Sequence, residues 1–299
     1  MPRVRSVVIS AGAVAVGLSL TAGGARELLR RQAAIARRAI GKPLGEEAPY
    51  ADRTWKASYG DRMDLLMLGD SIAAGLGAER RKDTLGARLA RGLAKHLHRA
   101  VRLRTAAIVG SESSALGQQI DSLPHDYVPD VAVIVIGGND VTHRVPVAKS
   151  VAHLEEAIRR LRARGAQVVV GTCPDLRAIR PVPQPLRTIG SRLSRQLAAA
   201  QARAAVAGGA HAVSLAHVVG PLFVDEPDQM FSTDRFHPSA LGYKRTAKAL
   251  LPSVLTALGM QDEAPYGHLV PDSLPDPAAG FVVEPVAEPA EDAGEGPGG

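Results

Sequence analysis

The amino-acid sequence predicts an α/β fold with a mostly parallel sheet covered by helices on both faces, and three observations carry that expectation. Apolar runs of four to six residues alternate with longer amphipathic segments across residues 61–259. Leu65–Leu68 and Val131–Ile136 are apolar throughout instead of alternating with polar residues, which marks strands buried on both faces. The chain, at 299 residues with 45% hydrophobic and 22% charged side chains, is long and apolar enough to build such a core.

Taken in order, Leu65–Leu68 is the first short strand, closed by Gly69. Leu85, Leu89, Leu93 and Leu97 recur every four residues and form one face of a helix. Val101–Val109 reads as the next strand, and Val131–Ile136 is a fully apolar run. Helical spacing from Val147 to Arg164 is closed by Gly165. Gln167–Thr172 is a strand, Arg187–Ala207 a helix, Ala212–Leu215 a strand and Ala240–Leu258 the terminal helix.

The ends of the chain differ in kind from this body. Residues 1–25 form an N-terminal hydrophobic segment, in which Arg3 and Arg5 precede an uncharged stretch from Ser6 to Ala25. About 20 such residues suffice to span a bilayer, and Ala22-Gly23-Gly24 supplies the small residues of a signal-peptide cleavage site. Both a membrane anchor and a signal peptide fit. Arg26, Arg30, Arg31, Arg37, Arg38 and Lys42 follow the span and oppose a translocated body, so the orientation stays open. The expectation is an exported or membrane-anchored protein of a bacterial cell envelope.

Residues 26–60 read as a basic helix and a Pro-containing linker. Residues 260–299 read as an acidic Pro/Gly-rich disordered tail, with too little apolar surface to offset the entropy of ordering. The whole chain carries 36 basic against 30 acidic residues, and nine of the acidic ones lie beyond residue 260 with no Lys or Arg beside them. The rest is formally +15. A basic body suits anionic membrane surfaces. It carries no helix-turn-helix, zinc-finger or RNA-binding signature, and an aromatic content of 3% gives few stacking platforms, so no nucleic-acid partner is expected.

The lone Cys173 excludes an intramolecular disulfide and reads as a small buried hydrophobe. Gly75-Leu76-Gly77 lacks the third glycine of a dinucleotide fingerprint and the lysine of a P-loop. His96 and His98 point to different faces of one helix, and His143 reads as a surface residue or a pocket liner. Pro174–Pro185, with four prolines and two arginines, reads as a stiff loop near the mouth of a pocket.

Ligands of an open α/β sheet sit outside the carboxyl ends of its strands, so the strand ends are where chemistry is expected. The first gives Gly69-Asp70-Ser71, a serine on a turn that opens a helix. The second gives Val109-Gly110-Ser111, where glycine admits close backbone approach. The third gives Gly137-Gly138-Asn139-Asp140, an amide and a carboxylate at a buried strand tip. Before the terminal helix stands Asp234-Arg235-Phe236-His237, which can aim a carboxylate at the imidazole Nδ1 and leave Nε2 to take a proton from a hydroxyl.

In this order the four pieces resemble the SGNH subgroup of the GDSL esterases and lipases, over Asp61 to about Leu258, and Gly242-Tyr243 after the histidine also fits. The resemblance implies a three-layer α/β/α sandwich with flavodoxin-like winding. It implies Ser71, His237 and Asp234 as catalytic residues and an oxyanion hole of Ser71, Gly110 and Asn139. Gly110 lacks the family's usual preceding asparagine. Neither a metal nor an organic cofactor is implied, and the expected partner is a small-molecule or lipid ester. Alternatives are an acyltransferase on the same scaffold, a metal-dependent phosphoesterase using Asp70, Asn139, Asp140 and His237, and a non-catalytic binding protein. The phosphoesterase would lack an Asp-x-His and a later His-x-His suited to two metals.

Overall fold

A computed structural model describes residues 23–261 and 265–271. In chain order the elements are helix α1 (residues 23–40), β1 (Thr54–Trp55), β2 (Arg62–Gly69), α2 (Ser71–Ala74), α3 (Leu85–Leu97), β3 (Ala100–Thr105) and α4 (Leu116–Asp121). There follow β4 (Val131–Val135), α5 (Gly138–His143), α6 (Val147–Ala163), β5 (Gln167–Gly171), α7 (Leu186–Ala207) and β6 (His211–Val213). The short helices α8 (Leu215–Val218), α9 (Gly220–Asp225) and α10 (Pro227–Met230) lead to α11 (Ala240–Ala257) and β7 (His268–Leu269).

The sheet order is β1-β3-β2-β4-β5-β6-β7, with β3 through β6 paired in parallel and the two edge strands antiparallel. Within the parallel part this is the flavodoxin-like order, whose topological switch point lies between β2 and β4. Side chains of β2 alternate between the two faces, as strand geometry requires. Met63, Leu65 and Met67 join the core made with Leu89 and Leu93 of α3 and Leu250 and Val254 of α11. Leu66 and Leu68 join the opposite core with Leu154, Ile158 and Leu161 of α6 and Val206 of α7. Each such leucine contributes about 1.5–3 kcal/mol by leaving water. The result is the expected three-layer α/β/α sandwich.

The leucine stripe of α3 packs as its spacing predicts: Leu85, Leu89 and Leu93 are fully buried, and Leu97 lies at the partly buried end. Thr84 caps this helix by accepting from the Ala87 N–H at 3.3 Å. Three sequence expectations are corrected. The strand expected to reach Val109 ends at Thr105, although Ala106 and Ile108 still donate to the Met67 and Gly69 carbonyls at 2.9 and 3.2 Å. The chain thus follows β2 to its tip outside the ladder and then turns at Gly110.

The segment expected to be a linker contributes to the fold. Ala51 is buried in the core, the Asp52 carboxylate accepts from the Thr105 N–H at 2.9 Å, and β1 pairs with β3. Beyond residue 259, within the segment whose composition reads as tail, β7 closes the other sheet edge against β6, and its His268 bonds Ser253 at 2.6 Å. Both edges are therefore covered by two-residue strands, which limits exposed strand pairing.

Helix α1 also docks on the body. The buried Gln32 side chain donates to the Gln184 carbonyl and accepts from the Leu186 N–H, the latter at 3.1 Å. Arg235 donates to the Ala39 carbonyl at 3.3 Å. Residues 1–22, which hold most of the uncharged span, lie outside the described residues, as do residues 262–264 and 272–299 of the acidic tail. Among the described residues no helix is long and apolar enough to cross a membrane.

At the end of β2, Gly69 has φ +132° and a Cβ added there would overlap the Val135 carbonyl. Gly69→Ala is therefore expected to cost about 3 kcal/mol or more and to lower Tm by about 6–12 °C. Thermal unfolding checks this, and an unchanged Tm would refute the close approach of β2 and β4.

Candidate active site

The strand ends at the switch point converge. Asp70 caps α2, its Oδ1 accepting from the Ile72 N–H at 3.0 Å, and its own N–H donates to the Val135 carbonyl of β4 at 3.1 Å. This places Ser71 at the first helical position, with its side chain turned to the mouth of the sheet. The Ser71 Oγ lies 2.9 Å from His237 Nε2, and His237 Nδ1 lies 2.6 Å from Asp234 Oδ2. An ionised carboxylate only accepts, so Nδ1 carries the proton and Nε2 is left to accept from the serine hydroxyl.

Asp234 sits on the loop before α11 and is nearly fully buried. Its Oδ1 accepts from the backbone N–H groups of Phe236 and His237 and from Ser232 Oγ, each at 2.9 Å. Burial opposes its ionisation, but the hydrogen bonds from the His237 ring and from those two N–H groups prevail and bring its pKa down to about 2. The His237 ring is held edge-on against Phe236, centroids 4.8 Å apart. Ser239 then caps α11 through the N–H groups of Leu241 and Gly242.

The two other expected site residues come from the neighbouring strand ends. Asn139 lies in the first turn of α5 and donates one amide hydrogen to the Ser111 carbonyl at 2.9 Å. Its second N–H remains for the pocket. Gly110 has φ +83°, which glycine adopts without strain, and a Cβ there would meet only open space. Gly110, Asn139 and His237 line one cavity together, whereas Ser71, Asn139 and His237 line a second. All five expected residues are thus brought to one place.

Two cavities meet there. A small apolar pocket of about 70 Å³ lies against Ser71 and is walled by Ile72, Leu215, Val219, Phe223 and Phe231. A groove of about 860 Å³ runs from Gly110, Asn139 and His237 to helix α1. The Pro174–Pro185 loop walls both, as its position suggests: Leu176 and Ile179 line each of them. His143 both lines the groove and is exposed, 2.8 Å from the Glu112 carboxylate. Cys173 is buried and its thiol is pushed well up by burial, which makes it inert.

Three buried polar residues hold the site, of which the sequence marks only Asp140, as a strand-tip carboxylate, while Gln119 and Gln201 were missed. Gln119 of α4 brackets Gly69, accepting from its N–H at 2.9 Å and donating to its carbonyl at 2.8 Å. Gln201 of α7 bridges the ends of β4 and β5 through the Ile136 carbonyl and the Cys173 N–H. Asp140 accepts from the Ser113 N–H and from Ser150 Oγ, the latter at 2.6 Å, and so fixes the loop after Gly110. One signal was present for Gln201: it shares a helix face with Leu197, Ala198 and Ala205, where an amide is out of place unless it has a partner.

A flavodoxin-like sheet that sets a serine, a histidine and an aspartate in hydrogen-bonded series beside an amide at its switch point defines a hydrolase of the SGNH class. The chain belongs to the GDSL-like lipase/acylhydrolase family, whose pattern matches residues 67–245, and it is a carboxylic ester hydrolase. A GDSL-like esterase of Mycobacterium tuberculosis, Rv1075c, is 40% identical over 273 residues, spanning 86% of this chain and 85% of the relative. The fold is similar to that of the psychrotrophic esterase EstA from Pseudoalteromonas, at TM-score 0.52 and 20% identity over 66% of this chain and 98% of that one. It is also similar to a catalytic mutant of Axe2, an acetylxylan esterase from Geobacillus stearothermophilus, at TM-score 0.51 and 19% identity over 68% of this chain and 96% of that one.

Asp70 is a second carboxylate with the opposite displacement. Burial raises its pKa to about 6, against the Ile72 hydrogen bond and the nearby His237, with Asp140 adding to the rise. A carboxyl raised on folding stabilises the protein below its unfolded pKa near 4 and loses that contribution as pH climbs through about 6. The Tm of Asp70→Asn relative to wild type is therefore expected to rise between pH 4 and pH 7, by the equivalent of about 1–3 kcal/mol. A pH-independent difference would place the Asp70 pKa near its ordinary value.

Proposed function

We propose that the chain hydrolyses carboxylic esters through an acyl-serine intermediate on Ser71. The observation that supports this reading is the unbroken series from Asp234 through His237 to Ser71, opening onto an apolar pocket. In the first half-reaction the Ser71 oxygen attacks the ester carbonyl while its proton passes to His237 Nε2. The C–O bond to the alcohol then breaks, and that proton leaves on the alcohol oxygen. In the second half, water attacks the acyl-enzyme, gives its proton to His237, and the acid departs as the proton returns to Ser71.

Asp234 holds the imidazole in the required tautomer and stabilises the imidazolium formed in each half. With a pKa of about 2 it is ionised throughout the neutral range. The Ser71 and Gly110 N–H groups and the free amide hydrogen of Asn139 receive the charge that develops on the carbonyl oxygen. Transfer of the acyl group to a second alcohol would use the same intermediate, with that alcohol in place of water.

A fluorophosphonate is expected to label Ser71, and Ser71→Ala to abolish labelling and lower kcat about 10⁴-fold or more. Asn139→Ala is expected to fold and to lose about 10²- to 10³-fold in kcat, with EDTA without effect on the wild type. An adduct on another residue, or kcat within threefold in Asn139→Ala, would overturn the assignment.

For location, we propose an exported or membrane-anchored protein of the cell envelope, supported by the uncharged span from Ser6 to Ala25 and the basic residues that follow it. Fractionation of the full-length protein from a bacterial host is expected to place it with membrane or in the medium. Recovery in the cytosol with an intact N-terminus would refute this.

A further inference from the structure

The two cavities that share Asn139 and His237 differ about twelvefold in volume, 70 against 860 Å³, and the hydrolytic cycle distinguishes what each can hold. The acyl group stays on Ser71 after the first half-reaction, and the small apolar pocket is the one that Ser71 itself lines. The alcohol leaves from the side of His237 Nε2, and His237 continues into the groove. Phe223, Phe231 and Val219 line the small pocket, whose volume of about 70 Å³ suits a short acyl chain.

The groove owes its far wall to α1. Leu29, Ala33, Ala36 and Ile40 are spaced along one face of that helix and line the groove together with Ile179 and Leu186. The helix is clamped to the body at its middle by Gln32, onto the chain before α7, and near its C-terminal end by Arg235, within the Asp234–His237 loop, onto the Ala39 carbonyl. Arg37, Arg144 and Arg187 also line the groove, and among the described residues none of them has a carboxylate partner. The groove's Glu46 is taken by Lys42. Unpaired guanidinium groups at the edge of an apolar groove suit a carboxylate or phosphate.

We infer that, given the acyl-serine reading above, the substrate is a short-chain acyl ester of a large apolar alcohol that carries an anionic group, with the short acyl group in the Ser71 pocket and the alcohol under α1. Helix α1 is then part of the substrate site, a role that its basic composition alone does not suggest. It also brings the alcohol half next to the segment that leads to the uncharged span.

Chain-length profiles taken separately on the two halves of the ester test this with the full-length protein. Wild-type kcat/KM is expected to fall at least tenfold from p-nitrophenyl butyrate to p-nitrophenyl decanoate, and to rise at least tenfold from ethyl butyrate to dodecyl butyrate. The carboxylate 12-butyryloxydodecanoate is expected to exceed its methyl ester at least threefold at low salt, and Arg187→Gln combined with Arg144→Gln to erase that preference. Ala33→Trp, which fills the groove, and Gln32→Ala, which removes one of the two clamps on α1, are both expected to lower the dodecyl-to-ethyl ratio at least fivefold. Phe223→Ala is expected to move the acyl optimum to longer chains. Fluorophosphonate labelling of Ser71 reports that each variant is folded.

A flat alcohol profile, or ratios unmoved by both α1 variants, overturns the inference while labelling and turnover of butyrate esters uphold the acyl-serine reading. Equal rates for carboxylate and methyl ester overturn the anionic preference. No labelling and no turnover of any ester overturns the acyl-serine reading itself.

Discussion

The junction of β2 and β4 is the constraint on which the rest of the structure depends. Neighbouring strands at a switch point send their connections to opposite faces of the sheet, so a crevice opens between the two strand tips. Here the tips approach so closely that only a glycine fits at Gly69, and the Asp70 N–H donates across the junction to the Val135 carbonyl. The serine follows this contact after Asp70, whose side chain turns back to cap α2, and the asparagine follows it after the buried Ile136 and two glycines. Their proximity is a consequence of register: Gly69 is level with Val135, Ser71 stands two residues past one and Asn139 four past the other.

Holding that register takes buried polar groups, because a strand tip that ends its ladder leaves backbone N–H and C=O groups without partners. Gln119 satisfies both groups of Gly69, and Gln201 satisfies the Ile136 carbonyl and the Cys173 N–H. An amide is suited to this, since it offers donor and acceptor together and carries no charge to desolvate. Asp140 does the same for the Ser113 N–H with a charge, and a serine from α6 meets its other demand. These residues touch nothing in the pocket, yet the angle at which Ser71, Gly110 and Asn139 face each other rests on them.

What could be read in the sequence was whatever had a period or a fixed local spacing. The four-residue leucine repeat of α3, the apolar run Val131–Ile136 that contains β4 and the Asp234-x-x-His237 pair are local patterns, and the structure contains each. What escaped was tertiary. Strand β1 is two residues long, too short for any alternation to show, and exists because β3 offers it an edge. Gly137-Gly138-Asn139-Asp140 shows an amide and a carboxylate at a strand tip but not the helix α5 that carries them, because a helix of six residues opened by glycine has no period to report; Asp140 within it is held by Ser113 and Ser150. The docking of α1 rests on Gln32, which meets backbone groups 152 and 154 residues away, and on Arg235, which reaches the Ala39 carbonyl 196 residues away, and no local pattern reports contacts at such distances.

The electrostatics of the site follow from the same geometry. Two carboxylates, Asp70 and Asp234, lie near one imidazole and are shifted in opposite directions, to about 6 and about 2. Burial acts on both. Asp234 accepts four hydrogen bonds, one from the ring itself, whereas Asp70 is deeper, has fewer donors and feels Asp140 behind it. Opposed shifts of this kind separate roles. Asp234 bonds the imidazole and fixes its tautomer; Asp70 does not touch the ring, and its part is to cap the turn that carries Ser71. When the proposed reaction places a positive charge on His237, both carboxylates lower its energy, the one through a hydrogen bond and the other through space at little further structural cost. The cap that shapes the nucleophile's turn is thereby also a part of the field in which the proton moves.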